Sequence, residues 1–274
     1  MQGRLSPPVG DRIQAFPTGV WQEEFGLCRE LGLGCLEWVY EYQDVLANPL
    51  SSQAGAREIF RMAKSADVQV SSVVADYFMT QKLFGECMCE VEKATNVLEK
   101  LIRQCVVAQI PLLELPFVDQ SALLTEKDRV DVVKNILPVL INYNNCGVRI
   151  AFETSLEPTL FKEFIESFSP VRVFVNYDMG NSAASGFNPL DEFKLLGSHI
   201  TNVHIKDRVY MGGTVPLGEG DTDFDLVFSE LKRINYQGDY VLQAARQDLS
   251  SDFRESSYKK TVLSYIEFIS PYLA

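Results

Sequence analysis

Apolar and polar positions follow two alternating periods along this chain. Short runs dense in Val, Ile, Leu, Phe and Tyr lie at 34–40 (GCLEWVY), 68–78 (VQVSSVVADYF), 111–117 (PLLELPF), 148–154 (VRIAFET), 171–178 (VRVFVNYD), 200–207 (ITNVHIKD) and 239–245 (DYVLQAA). These are strand signals, most of them entered from a glycine or a polar turn. MQGRLS, at residues 1–6, supplies a further strand that starts abruptly. Between the runs, apolar residues recur three and four apart, as in Leu98, Leu101, Ile102 and Cys105. This spacing predicts helices over 21–32, 54–66, 89–109, 126–147, 157–168, 189–197, 224–235 and 253–269. Pro158 and Pro189 suit first turns, Pro138 falls inside its helix, and Gly32, Gly147, Gly197 and Gly238 mark helix ends.

Strands and helices in strict alternation imply a parallel sheet with right-handed crossovers. Eight such units in 274 residues favour a closed barrel over an open doubly wound sheet. No GxGxxG or Walker sequence follows the first strand, which weakens the nucleotide-binding alternative. The expected fold class is therefore α/β, a single (β/α)8 TIM barrel spanning residues 1–274, with no linker or change of composition dividing it.

The active site of such a barrel lies at the C-terminal ends of its strands. The polar residues that interrupt the apolar runs there are Arg4, Glu37, Asp76, Glu114, Glu153, Asp178, His204 and Gln243. Side chains two apart share a strand face, so Glu153 points with Ala151, Asp178 with Asn176, His204 with Asn202 and Gln243 with Val241. Phe152, Tyr177, Val203 and Leu242 then face the helices. An ionised carboxylate aimed into a barrel is costly unless it is paired or bound to metal. Several converging on one rim point to a cation.

Composition narrows the function. The net charge of −12 argues against an extended nucleic-acid surface, yet Arg4, Lys206, Arg208 and Arg246 fall on the predicted rim. They form either a contact for a phosphate or carboxylate of a substrate or ordinary rim ion pairs with Glu37, Asp207 and Asp248. No apolar run approaches a membrane span, and no charged segment followed by an apolar one marks a signal peptide at the N-terminus. Six cysteines without a CxxC pair read as free thiols, and Cys87-Met88-Cys89 has the wrong spacing for a zinc knuckle. Cytoplasmic location is expected, with no membrane or nucleic-acid partner; a homo-oligomer is compatible with the sequence.

AFET (151–154), NYDMGNSAASG (176–186), NVHIKD (202–207) and PLGEGDTDF (216–224) together resemble successive strand-end motifs of the xylose-isomerase-like barrel superfamily. That superfamily holds sugar and sugar-phosphate isomerases and epimerases, and also endonuclease IV. The resemblance implies one divalent metal held by Glu153, Asp178, His204 and a last-strand residue, with Glu153 as the base that removes a proton beside a carbonyl. The last-strand residue is Glu in the family's epimerases, where it pairs with the first Glu in catalysis. Here it is Gln243, which either ligates through its carbonyl or stands behind the ligands. As a ligand it carries one negative charge fewer and cannot carry a proton at neutral pH. A symmetric two-carboxylate mechanism therefore loses a partner, unless Asp76, Glu114, Asp207 or Glu219 substitutes.

Oxygen-rich ligation with one imidazole favours Mn²⁺, then Mg²⁺, Co²⁺ or Zn²⁺. Glu37 and Glu114 are expected to orient substrate hydroxyls or neighbouring side chains. Asp76, Asn181, Lys206, Asp207 and Arg208 are further candidates for substrate contact. Glu219, between Gly218 and Gly220, either touches substrate or only turns the chain. His199 is expected at the opposite end of its strand. The lead expectation is a metal-dependent sugar or sugar-phosphate isomerase or epimerase acting through an enediolate, with isomerisation favoured. The alternatives are a keto-polyol dehydratase and a catalytically lapsed barrel that binds a sugar acid. An apurinic endonuclease with a three-zinc, histidine-rich site is disfavoured by a chain with two histidines.

Overall fold

The computed structural model describes residues 1, 5–6, 15–243 and 255–273, with the side chains of 255–257 excepted. Seven parallel strands, in sequence order around the sheet, form a nearly closed barrel: β1 (Cys35–Val39), β2 (Gln69–Val74), β3 (Leu112–Phe117), β4 (Arg149–Thr154), β5 (Phe174–Asp178), β6 (Ile200–Ile205) and β9 (Asp239–Leu242). Each lies inside its predicted run. Met1 brackets β1 as a ladder partner would, donating from its amino group to Cys35 O at 3.0 Å and accepting from Glu37 N at 3.0 Å. The rest of the predicted first strand, including Arg4, lies largely outside the described residues, as does Arg246.

The outer layer contains α1 (Glu23–Glu30), α2 (Gln53–Ala66), α4 (Met88–Ala108), α5 (Glu126–Tyr143), α6 (Pro158–Glu166), α8 (Pro189–Leu196), α9 (Phe224–Arg233) and α10 (Glu255–Leu273). Local chemistry sets their ends. Thr125 and Asp128 close a capping box on α5, Ser52 caps α2, and prolines open α6 and α8. α5 runs unbroken through Pro138. Gly32 and Gly147 take left-handed φ values of 72° and 88°, whereas Gly197, expected to end its helix the same way, is right-handed at −52° and begins a single 3-10 turn. His199 sits in that turn, at the N-terminal end of β6.

The faces alternate as period-two packing requires. Phe152 packs outward against Phe164 of α6 and against Phe168, and Tyr177 against Phe193 of α8, with centroids 5.0–5.5 Å apart. Trp21 and Trp38 belong to a buried aromatic cluster with Phe16 and Phe25. Strict alternation is interrupted at the top of the barrel. Two short helices, α3 (Tyr77–Thr80) and α7 (Met179–Ser185), follow β2 and β5 directly, and a small hairpin, β7 (Asp207–Arg208) with β8 (Thr214–Val215), follows β6. These additions shape the rim. No described helix is long and apolar enough to cross a membrane.

Candidate metal centre

His204, with no exposed surface, is the hub of the site. Its register opposite Asp178 on β5 and Val241 on β9 points the ring into the barrel. The two ring nitrogens meet two different acid pairs. Nδ1 lies 3.6 Å from Glu153 Oε2 and 3.8 Å from Asp178 Oδ2. Nε2 lies 2.9 Å from Glu37 Oε2 and 3.3 Å from Glu114 Oε2. Four buried carboxylates outnumber the imidazole and Lys206, which reaches Asp178, so the centre calls for a further cation or for protons.

Asparagines tie the upper pair together. Asn176 donates through Nδ2 to Glu153 Oε2 at 2.8 Å and lies 3.2 Å from His204 Nδ1. Asn202 donates to Asn176 Oδ1 at 3.0 Å and to Glu37 Oε1 at 3.1 Å. Because Asn176 Oδ1 accepts from Asn202, its amide group is the one facing the histidine. In the neutral ring, the form that can ligate a cation, this arrangement makes His204 Nδ1 the acceptor and leaves the hydrogen on Nε2, on the Glu37–Glu114 side. Asn181 donates to Glu153 Oε1 through its side chain and to Asp178 Oδ1 through its backbone, the latter at 2.7 Å. Asp178 is thus both the last residue of β5 and the N-cap of α7.

The electrostatics follow from these contacts. Burial alone would push the Asp178 carboxyl up, but Lys206 and then His204 override it and bring it down to about 2. Burial likewise works against Glu37, yet the His204 charge and the Ser72 hydroxyl at 2.6 Å hold it below its ordinary value. For Glu114 burial prevails and its carboxyl is raised well above the usual range. Burial would lower His204; the charges of Glu37 and Glu114 outweigh it, and the imidazole is raised well above its usual value.

A divalent cation fits this donor set. Glu153, Asp178 and His204 each offer one atom within 4.8 Å of the others, and Gln243 Oε1 is buried with no hydrogen-bond partner among the described residues. A buried amide oxygen left unpaired next to a carboxylate–imidazole cluster has the chemistry of a vacant ligand. Glu37 and Glu114 stand on the far side of the ring, in the place of the carboxylate that orients a metal-bound histidine. Together with His204 they also form a second candidate trio, although that trio would use the nitrogen that bears the hydrogen.

A cavity of about 360 Å³ opens over the cluster. Glu153, Asp178, Gln243, Asp76, Asn181, Lys206 and Arg208 line it, with Met79, Leu156, Phe161 and Phe187 as apolar wall, and Glu114 reaches its floor. Asp76 precedes α3, and burial, assisted by the charges of Glu153 and Glu37, lifts its carboxyl to about 8. Lys206 reaches Asp178 Oδ2 at 3.3 Å. Its side chain crosses Gly180, where an added Cβ would meet Lys206 Cγ at 2.8 Å. Arg208 donates to Asn181 Oδ1 at 2.7 Å and to Gly212 O at 2.6 Å.

Three expected substrate contacts are placed elsewhere. Glu37 is buried beneath His204 and does not line the cavity, because the β1 side chain enters one layer lower than the rim. Glu219 is exposed and off the cavity wall. Asp207 is buried and its oxygens accept from the backbone amides of Gly218, Gly220 and Thr222 at 2.8, 2.9 and 3.1 Å. It clamps the loop after β8 instead of facing substrate. Replacing Asp207 with alanine is expected to cost about 3 kcal/mol, given ~1.5–3 kcal/mol for each hydrogen bond to a charged group and incomplete additivity. The urea midpoint would report the loss, and amide exchange would rise over 216–223.

One buried carboxylate on the cavity edge escaped the sequence reading. Glu192 of α8 accepts from Tyr177 Oη at 3.0 Å and from Ser182 Oγ at 2.5 Å. Burial raises it to about 7 despite those donors. Folded protein thus holds a proton that the unfolded chain releases near its ordinary value, and this group makes stability fall as pH rises from about 4.5 to about 7. Glu192→Gln is expected to flatten that slope and to stabilise the protein by about 2 kcal/mol at pH 8, read from urea midpoints across pH.

The comparisons extend the geometry to relatives. An inosose dehydratase from Clostridium tetani is 25% identical over 217 residues, covering 69% of this chain and 72% of the relative. Among solved structures, D-psicose 3-epimerase from Clostridium cellulolyticum H10, crystallised with D-tagatose, superposes with a TM-score of 0.76 at 15% identity, covering 94% of this chain and 96% of the other. An IolI protein with a bound zinc atom superposes with a TM-score of 0.73 at 16% identity, covering 94% and 95%. Residues 25–261 match the family described as xylose isomerase-like TIM barrel. With most of the chain matched, and with the barrel and its strand-end donors in place, the protein belongs to the xylose isomerase-like TIM barrel family.

Proposed function

We propose that this protein is a divalent-metal-dependent enzyme that moves a proton beside the carbonyl of a small polyhydroxy ketone, a sugar or sugar phosphate, and that it does so as an isomerase. The observation that carries this reading is the trio of Glu153, Asp178 and His204, close enough to share one cation, with the two carboxylates and Gln243 lining the cavity above the histidine. The residues to hold the cation are Glu153, Asp178, His204 and Gln243, and Mn²⁺ is the ion their donor types favour. A bound cation supplies Lewis-acid polarisation of the substrate carbonyl.

Glu153 takes the proton. Asn176 and Asn181 fix one oxygen each, so the carboxylate meets substrate in one orientation. Gln243 cannot return a proton on the opposite face. Glu153 therefore delivers it to the adjacent carbon on the same face, an aldose–ketose shift and not an epimerisation. Lys206 and Arg208 place positive charge on the cavity wall and take the substrate's oxygen-rich end.

Dehydration is the second reading, and Asp76 favours it. A carboxyl lifted to about 8 on the cavity wall is protonated at neutral pH and suited to protonate a departing hydroxyl. The similarity to an inosose dehydratase over most of the chain supports the same reading.

The test is incubation of Mn²⁺-loaded protein in D₂O with ketoses, ketose phosphates and inososes, followed by mass spectrometry and NMR. Isomerisation gives a carbon-bound deuterium in a product of unchanged composition; dehydration gives loss of water. No exchange with any of these, together with no stoichiometric divalent ion in the purified protein, would overturn both.

A further inference from the structure

Cys87 and Cys89 flank the first residue of α4, at the end of the connection that runs from the cavity residues Asp76 and Met79. Both side chains are exposed, and their sulfurs are 3.0 Å apart. The four other cysteines are buried or half-buried. Two residues apart along the chain, their α-carbons are separated by at most about 7 Å, which overlaps the roughly 4.4–6.8 Å that a disulfide spans. Closing the bond needs rotation of side chains at the surface and no movement of a strand or of the core.

We propose that Cys87 and Cys89 form a reversible dithiol–disulfide site that exchanges with low-molecular-weight disulfides. In the first step the Cys87 thiolate attacks one sulfur of the small disulfide; a mixed disulfide forms and one small thiol leaves. Cys89 then attacks the Cys87 sulfur, closes the intramolecular bond and expels the second small thiol. The protein loses two protons and two electrons, and the small disulfide gains them as two thiols.

The roles are unequal. The Cys89 thiol beside it draws the Cys87 thiol below its ordinary value, and the same contact raises Cys89. The first is then the attacking sulfur and the second the resolving one. Elsewhere burial works the other way: it pushes Cys28 up to about 12 and raises Cys105 as well. These thiols are poorly placed to compete.

The experiment equilibrates the full-length protein in glutathione buffers of graded ratio, quenches with acid, and maps disulfides by intact mass and peptide mass spectrometry. Expected is an intramolecular Cys87–Cys89 bond whose extent does not depend on protein concentration. With Cys89→Ser, a single glutathione adduct should persist on Cys87, and with Cys87→Ser adduct formation should slow at least tenfold. A first bond involving Cys28, Cys35, Cys105 or Cys146, a bond between chains, or a Cys87 that stays fully reduced throughout would overturn the proposal. Circular dichroism of each variant separates loss of exchange from loss of fold.

Discussion

Replacing Glu153 with glutamine is expected to lower turnover by about 10²- to 10⁴-fold, the usual contribution of a positioned general base. The substitution keeps the shape of the side chain and one oxygen, so Asn176 or Asn181 retains an acceptor. What it removes is the ability to accept a carbon-bound proton. Solvent-deuterium exchange should therefore fall in parallel with turnover, while KM changes little. If the variant still exchanged deuterium at the parent rate, the proton would be leaving to another group, and Asp76 on the same cavity wall would be the next to test. Some weakening of cation binding is also expected, because the amide lacks the carboxylate's charge. Kinetics should accordingly be compared at saturating Mn²⁺.

The second large effect is expected at His204. Its replacement by alanine removes the imidazole that stands between two acid pairs. Calorimetric titration with Mn²⁺ should then show affinity reduced by more than about 100-fold, in line with loss of a direct donor. In chelator-treated protein the variant should also lose about 3–5 kcal/mol of stability, the cost of leaving a buried charge without its partner. The pH dependence has a defined sign. The histidine, raised in the folded state, contributes fully below its ordinary value and loses its contribution as pH rises through the folded value. Glu37, held low, contributes above its ordinary value and loses its contribution as pH falls through the folded one. The deficit of the variant should thus be widest near neutrality and shrink below about pH 4.5. An unchanged cation affinity would place the metal away from this ring.

How much of this was legible in the sequence depends on which coordinate of the barrel is considered. Direction across a strand was legible, because a period of two allows only two faces: Glu153, Asp178 and His204 point inward while Phe152, Tyr177 and Val203 pack outward. Height along the barrel axis was not. Glu114 lies opposite Ala151 in the β3–β4 register, two residues before Glu153, and so enters a layer lower than a list of strand-end residues suggests. Glu37 is lower still in effect, ending under the far nitrogen of His204. Register between parallel strands is set by packing across the whole sheet, and a single strand's sequence does not carry it. Asp207 was misread for a different reason. Its three acceptor contacts are to backbone amides ten or more residues later, and backbone donors leave no mark in a sequence. α7 was hidden because MGNSAAS lacks an apolar stripe; its start is fixed by the Asp178 cap, visible only once that carboxylate is known to lie beside an amide. Glu192 looked like an ordinary acidic residue in the first turn of a helix until Tyr177 and Ser182 closed over it.

The close passage of Lys206 over Gly180 constrains how this site can diversify. A methyl group at 180 would fall 2.8–3.0 Å from the β- and γ-carbons of the lysine and from its carbonyl carbon, so no side chain fits there while residue 206 keeps its own. Gly180 lies in the first turn of α7 and Lys206 directly after β6, and the second holds the first to glycine. A lineage that gave up the lysine's charge for a different substrate would still keep glycine at 180, because the β-carbon and carbonyl carbon of residue 206, each 3.0 Å from an added Cβ, remain when the side chain is shortened.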